Sequence, residues 1–312
     1  MNRELTTPRR VLVFVVGLAA VFGLALAAGS ALGPVDTEPA SSAHDDGDAH
    51  DDVSVAHDAV AASLPGGLMS AQDGYRLVLA DPRLSPGRDR TLSFTIQGPH
   101  GAVTDYDVEH EQRLHLIAVR RDFEGYQHVH PTLADDGTWT TPLDLTAGSW
   151  RVFADFSPAG GEPLTLGADL AVPGSAAAAA PQPETRTTTV DGYTVTVAGD
   201  LTAGAHAELS LTITRDGVPV TDLQPYLGAY GHLVALREGD LAYLHVHPSG
   251  EPGDGTTQAG PEVDFGVEVP SEGAYQLYLD FRHDGVVRTA HLTLPAGPGQ
   301  EHDDEHGEEQ GH

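Results

Sequence analysis

An internal duplication limits what this chain can fold into more than any other feature. Residues 84–131 align without a gap on residues 201–248 at a constant offset of 117, and 18 of the 48 positions are identical. "HLIAVR" at 115–120 returns as "HLVALR" at 232–237, and both copies end on a related hexapeptide, "YQHVHP" at 126–131 and "YLHVHP" at 243–248. With small insertions the match continues outward. "GSWRVFADF" at 148–156 pairs with "GAYQLYLDF" at 273–281, and "ADLAVP" at 168–173 with "AHLTLP" at 290–295. The chain is therefore read as two copies of one domain, 68–174 and 185–297, joined by an Ala/Pro linker at 175–184.

Each copy is built of short β-branched and aromatic runs punctuated by Gly, Pro and Asp, the pattern of an all-β domain. In the first copy the expected strands are 75–79, 91–97, 113–120, 126–130, 138–144, 149–156 and 164–172. Seven short strands in such a length predict a β-sandwich, immunoglobulin-like or cupredoxin-like. Trp150 and Tyr275 are expected in the two cores.

The flanks differ in kind. Arg3, Arg9 and Arg10 precede the apolar run at 11–33, which reads as a transmembrane helix or, with Ala25-Leu26-Ala27 as cleavage site, a signal segment. Residues 1–10 would then be cytoplasmic, and the rest single-pass membrane-anchored outside the cytoplasm, or secreted after cleavage. Residues 34–67 and 298–312 are rich in His, Asp and Glu and read as a disordered tether and tail. The net charge of −30 argues against nucleic acid as a partner and favours cations. The absence of cysteine excludes disulfides, thiolate metal sites and iron–sulfur clusters.

The histidines carry the chemistry. A two-residue turn at Glu238-Gly239 would set His232 opposite His245, and the same register would set His115 opposite His128. Side chains alternate along a strand, so His130 and His247 would join the same faces. Each domain is then expected to gather three imidazoles: His115, His128 and His130 in the first, His232, His245 and His247 in the second. Three neutral imidazoles on rigid strands suit Cu²⁺ or Zn²⁺, with water, Asp155 or Asp280, or a tail histidine completing the shell. With only Met1 and Met69 in the chain, Cu⁺ has no ligand set. The competing reading is a buried hydrogen-bond network inherited through duplication, because His115 shares its strand face with Ile117 and Val119, and His232 with Val234 and Leu236.

Tyr126 and Tyr243 fall on the histidine faces, and Asp155 and Asp280 end matching strands where they would orient a ring or face solvent. His100, His110, His206, His283 and His291 have no histidine at the matching repeat position and are expected on the surface. No nucleophile elbow, phosphate loop or His-Glu-x-x-His occurs, so no enzyme is expected.

"PYLGAYGHLVALREGDLAYLHVHP" at 225–248 resembles exported, membrane-anchored actinobacterial envelope proteins with tandem β-sandwich domains and a His-x-His-Pro motif, some of them labelled heavy-metal-binding. The resemblance covers both β domains and implies an extracytoplasmic, metal-related role. The expected function is Cu²⁺ or Zn²⁺ buffering or delivery; the alternative is an interaction module contacting another envelope protein.

Overall fold

The computed structural model describes residues 64–176, 182–244 and 246–299. The expected N-terminal helix at 11–33, most of the tether, most of the tail and His245 lie outside them. Within them every regular element is a strand. No helix among the described residues is long and apolar enough to cross a membrane.

The first repeat holds β1 (Tyr75–Leu79), β2 (Gly87–Gly98), β3 (Leu114–Arg120), β4 (Gln127–Val129), β5 (Thr138–Leu145), β6 (Gly148–Phe156) and β7 (Leu164–Val172). They form two sheets, β1-β2-β5 with two-residue edge strands, and β7-β6-β3-β4. The second repeat holds β8 (Thr187–Val190), β9 (Tyr193–Ala198), β10 (Ala205–Arg215), β11 (His232–Arg237), β12 (Tyr243–Leu244), β13 (Val246–Pro248), β14 (Glu262–Val269), β15 (Gly273–His283) and β16 (Val286–Gly297). Its sheets run β8-β9-β10-β14-β13 and β16-β15-β11-β12. Both repeats are thus two-layer, mainly antiparallel sandwiches of immunoglobulin-like strand order, with a two-residue strand at Leu201–Thr202 pairing parallel to the end of β16.

Burial separates the two layers. β5 and β14 alternate strictly between buried and open positions, as strands with one wet face do. β3, β6, β11 and β15 are buried on both faces instead. One face of each fills its own sandwich. Leu114, Leu116, Ala118 and Trp150 belong to the first core, and Leu233, Ala235, Leu277 and Tyr275 to the second. The other faces meet each other. Ile117, Val119 and Phe153 of the first repeat pack with Val234, Leu236, Leu241 and Tyr278 of the second as a separate apolar cluster.

That third core is related to itself by the duplication. Tyr126 stacks on Tyr278 at 3.9 Å between centroids, and its counterpart Tyr243 meets Phe153, the counterpart of Tyr278, at 5.8 Å. The Tyr278 hydroxyl donates to the Phe123 carbonyl across the interface (2.8 Å). Burying each of the large apolar chains here contributes about 1.5–3 kcal/mol. This is the arrangement of a two-fold, isologous dimer built within one chain.

The segment before β1 seals the seam. Tyr243 N–H donates to the Gly66 carbonyl (2.9 Å), while Gly67 N–H donates to Thr165 of the first repeat (2.8 Å). The Arg151 guanidinium grips the Gly67 carbonyl at 2.6 Å. Gly67 has φ +73°, and a Cβ there would stand 2.4 Å from the Phe153 ring, so only glycine fits. Gly66 and Gly67, assigned from sequence to the tether, are held by the fold.

Candidate metal centre

The histidine-bearing hairpins differ in register from the expected one. In the first repeat Ile117 stands opposite His128, and in the second Leu236 stands opposite Tyr243. The loops, 121–124 and 238–241, have four residues rather than two. Phe123 and Leu241 adopt left-handed backbone in them (φ 66° and 64°). The shift is two residues in each case. It keeps the parity of the strand, so His128 stays on the face of His115.

His115, His128 and His130 come together as expected. A ring nitrogen from each lies within 4.8 Å of the others. Their centroids are 5.3, 5.0 and 5.0 Å apart. Three imidazoles pointing at one metal with bonds of 2.0–2.1 Å set their centroids about 5 Å apart. The near-equilateral triangle matches that spacing.

The second expected triad does not form among the described residues. Leu244 pairs within the β16-β15-β11-β12 sheet, but Val246, His247 and Pro248 already pair with Val267, Gly266 and Phe265 of the opposite sheet. In the first repeat the chain stays in the histidine sheet through Val129 and reaches the other only at Thr132. The earlier crossing leaves His247 exposed on a different sheet. His232 instead faces the first repeat, 5.5 Å from His115 in a stacked pose and 4.8 Å from His128. Among the described residues the imidazoles therefore gather in one cluster at the junction of the repeats.

The hydrogen bonds of the cluster fix its tautomers. His115 Nε2–H donates to the Glu109 carbonyl (3.2 Å), which can only accept. His128 Nδ1–H donates to the Asp280 carboxylate of the other repeat (2.8 Å), whose second oxygen accepts from the Thr289 hydroxyl. The inner nitrogens, His115 Nδ1 and His128 Nε2, then carry lone pairs and face each other at 3.1 Å. Two lone pairs at that distance repel unless a proton or a metal ion lies between them. In a tetrahedral site with bonds of 2.0–2.1 Å, neighbouring nitrogens stand about 3.3–3.4 Å apart. His130 Nε2 is buried without a hydrogen-bond partner and supplies a third free donor. The buried Tyr126 hydroxyl also lacks a partner.

Electrostatics keep the donors available. Burial, with His128 close by, lowers His115 to about 3 and His130 to about 4. Burial and the neighbouring rings hold His232 well below the usual imidazole range. Burial raises Asp155, which accepts from the Thr165 hydroxyl at 3.0 Å. Asp280 acts on His128 as an orienting acceptor rather than facing solvent, and does so across the repeat interface rather than within its own domain.

Two histidines expected on the surface are elsewhere. His283 is buried between the Tyr193 hydroxyl (2.7 Å) and Asp222 (3.0 Å). His291 is half-buried, stacked on Tyr278 at 4.5 Å and bonded to the buried Gln276. His110 is exposed, yet its ring touches the cluster, 6.1 Å from His115 and 5.7 Å from His232. Sequence offset could not reveal this, because position 227 carries leucine. His206 is on the surface as expected, between Glu208 and Glu268.

No curated protein matches the chain in sequence. Among solved structures, similarity extends to the Escherichia coli adhesin FdeC at 17% identity and TM-score 0.25, covering 74% of this chain and 65% of that one. The Yersinia pseudotuberculosis adhesin InvE is 13% identical with TM-score 0.21, over 71% of this chain and 58% of its own. The chain thus spans less than two thirds of either. The FN1–FN3 domains of chicken CNTN1 are 13% identical with TM-score 0.21, over 76% and 66%. One family model matches twice, over 70–174 and again over 188–297, so the chain belongs to the family described as domain of unknown function (DUF8832) and carries two copies of its domain.

Proposed function

We propose that this protein binds one divalent transition-metal ion, Cu²⁺ or Zn²⁺, at the junction of its two repeats. His115 Nδ1, His128 Nε2 and a His130 ring nitrogen are the ligands, and water takes the open position. The observation that carries the reading is the pair of ring nitrogens facing each other at 3.1 Å, each ring with a hydrogen-bond acceptor on its far side. Imidazole donors without thiolate or thioether favour these ions over Cu⁺. The role is buffering or delivery rather than turnover, outside the cytoplasm on an N-terminal anchor.

The test is calorimetric titration of the full chain with Zn²⁺ and Cu²⁺, beside a variant with His115, His128 and His130 changed to Ala. The expected result is one tight site present only in the parent chain. Equal binding by both overturns the proposal. A proton in place of the metal is the competing occupant. It predicts no metal-dependent heat and loss of thermal stability alone.

A further inference from the structure

A cavity of about 140 Å³ lies beside the imidazole cluster, and Asp107, Glu109, His110, Asp155 and His232 are in its wall. The rings form a series from solvent inward. Exposed His110 is 5.7 Å from His232, and His232 is 4.8 Å from His128 and 5.5 Å from His115. No step in this series exceeds the spacing of two imidazoles sharing one ion by more than about 1 Å.

The backbone holds His110 in place. Glu109 and Gln112 exchange both N–H···O bonds at 2.9 Å around a tight turn, with His110 at φ 46° and Glu111 at φ 65°. The second repeat makes the same turn between Tyr226 and Ala229, with Leu227 at φ 57° and Gly228 at φ 77°. Left-handed backbone is disfavoured for a residue that carries a Cβ. The first repeat thus keeps His-Glu where its sister uses Leu-Gly, and the turn presents an imidazole beside the cavity.

We infer that His110 and His232 are uptake ligands, which take a divalent transition-metal ion from solvent and pass it to His115, His128 and His130. This rests on the metal-binding reading above. The chemistry is ligand exchange alone: at each step one water or imidazole nitrogen leaves the ion as another replaces it. Asp107 and Glu109 at the cavity concentrate cations there, as the net charge of −30 does around the whole molecule. The inner triad then holds the ion because its donors are neutral, oriented and shielded from water.

Stopped-flow mixing of the full chain with Zn²⁺ and with Cu²⁺ tests the inference. Subtracting the trace of the His115/His128/His130→Ala variant removes binding elsewhere on the chain. His110→Asn retains a residue tolerant of left-handed backbone, and His232→Gln provides a second, independent probe. Either change is expected to slow association by about tenfold, with Kd from chelator competition moving less than about threefold. Association at the parent rate in both variants overturns the inference and leaves the metal site intact. Loss of affinity with unchanged association also overturns it, since the residues are then resting ligands. Absence of a subtractable site in the parent chain defeats the metal reading itself. Circular-dichroism melting of each variant verifies the fold before the rates are compared.

Discussion

His128 of the first repeat donates to Asp280 of the second at 2.8 Å, and both side chains are almost fully enclosed. One bond therefore orients a candidate ligand and ties the repeats together. The site depends on the interface, and the interface on the site.

Removing that acceptor has two separable effects. Asp280→Ala leaves the His128 Nδ1–H buried without a partner, at a cost of about 1–3 kcal/mol. It also frees the ring to turn and to change tautomer, so metal affinity is expected to fall about 10–100-fold. Urea unfolding of the metal-free protein reads the first effect and chelator competition the second. An unaltered Kd would mean that His128 is held by something other than Asp280.

Acidification acts on the same rings. His115 is lowered to about 3 and His130 to about 4 in the folded protein, whereas both titrate near 6.5 once unfolded. Below pH 6.5 the unfolded chain takes up protons that the folded one refuses. Stability is thus full above pH 6.5 and falls as pH drops towards 4 and then 3. For His115 alone the loss between pH 7 and pH 5 is about 2 kcal/mol. Urea midpoints of the metal-free protein at the two pH values check this, with His115→Gln expected to flatten the difference. Bound metal should steepen the dependence, because the ion binds only the neutral rings.

Metal is expected to raise Tm as well as bind. A ligand specific for the folded state at a hundred times its Kd stabilises by about 2.7 kcal/mol. Differential scanning calorimetry with and without Zn²⁺, followed by chelator, should show a reversible upward shift that is absent in His130→Ala. A Zn²⁺ shift that survives His130→Ala would point to His232 as the third ligand.

Much of the fold is legible in the sequence. The seven strands expected in the first repeat all occur, most within one or two residues of their bounds, because alternation and turn residues mark them. Trp150 and Tyr275 are fully buried in the two cores. The register was missed by two residues because Arg237 and Asp240 suggest a tight turn, and they do form an ion pair, yet Leu241 extends the loop by adopting left-handed backbone. The junction of the repeats was missed altogether. Its signal was present: "HLIAVR" and "HLVALR" are apolar on both faces, and a strand of a two-layer sandwich needs only one. The different sheet pairing of residues 246–248 had no such signal, since His130 and His247 stand in nearly identical hexapeptides. What separates them is the residue at which the chain changes sheet.

The apolar junction should govern cooperativity. Ile117 is fully buried between the repeats and belongs to neither sandwich core. Ile117→Ala is expected to cost about 2–5 kcal/mol through lost burial and the cavity left behind. Leu116, its neighbour on the opposite face, lies in the first core, and Leu116→Ala should cost a similar amount. The two differ in kind. Loss at Leu116 weakens one sandwich and lowers the transition of the whole molecule. Loss at Ile117 weakens the bond between sandwiches, so the repeats should begin to unfold separately. Calorimetry distinguishes them: a single peak displaced downward for Leu116→Ala, and for Ile117→Ala a broadened or split peak whose van't Hoff enthalpy falls below the calorimetric one. Metal should restore a single transition in Ile117→Ala only if the ion is also bound by His232, because only that ligand belongs to the second repeat.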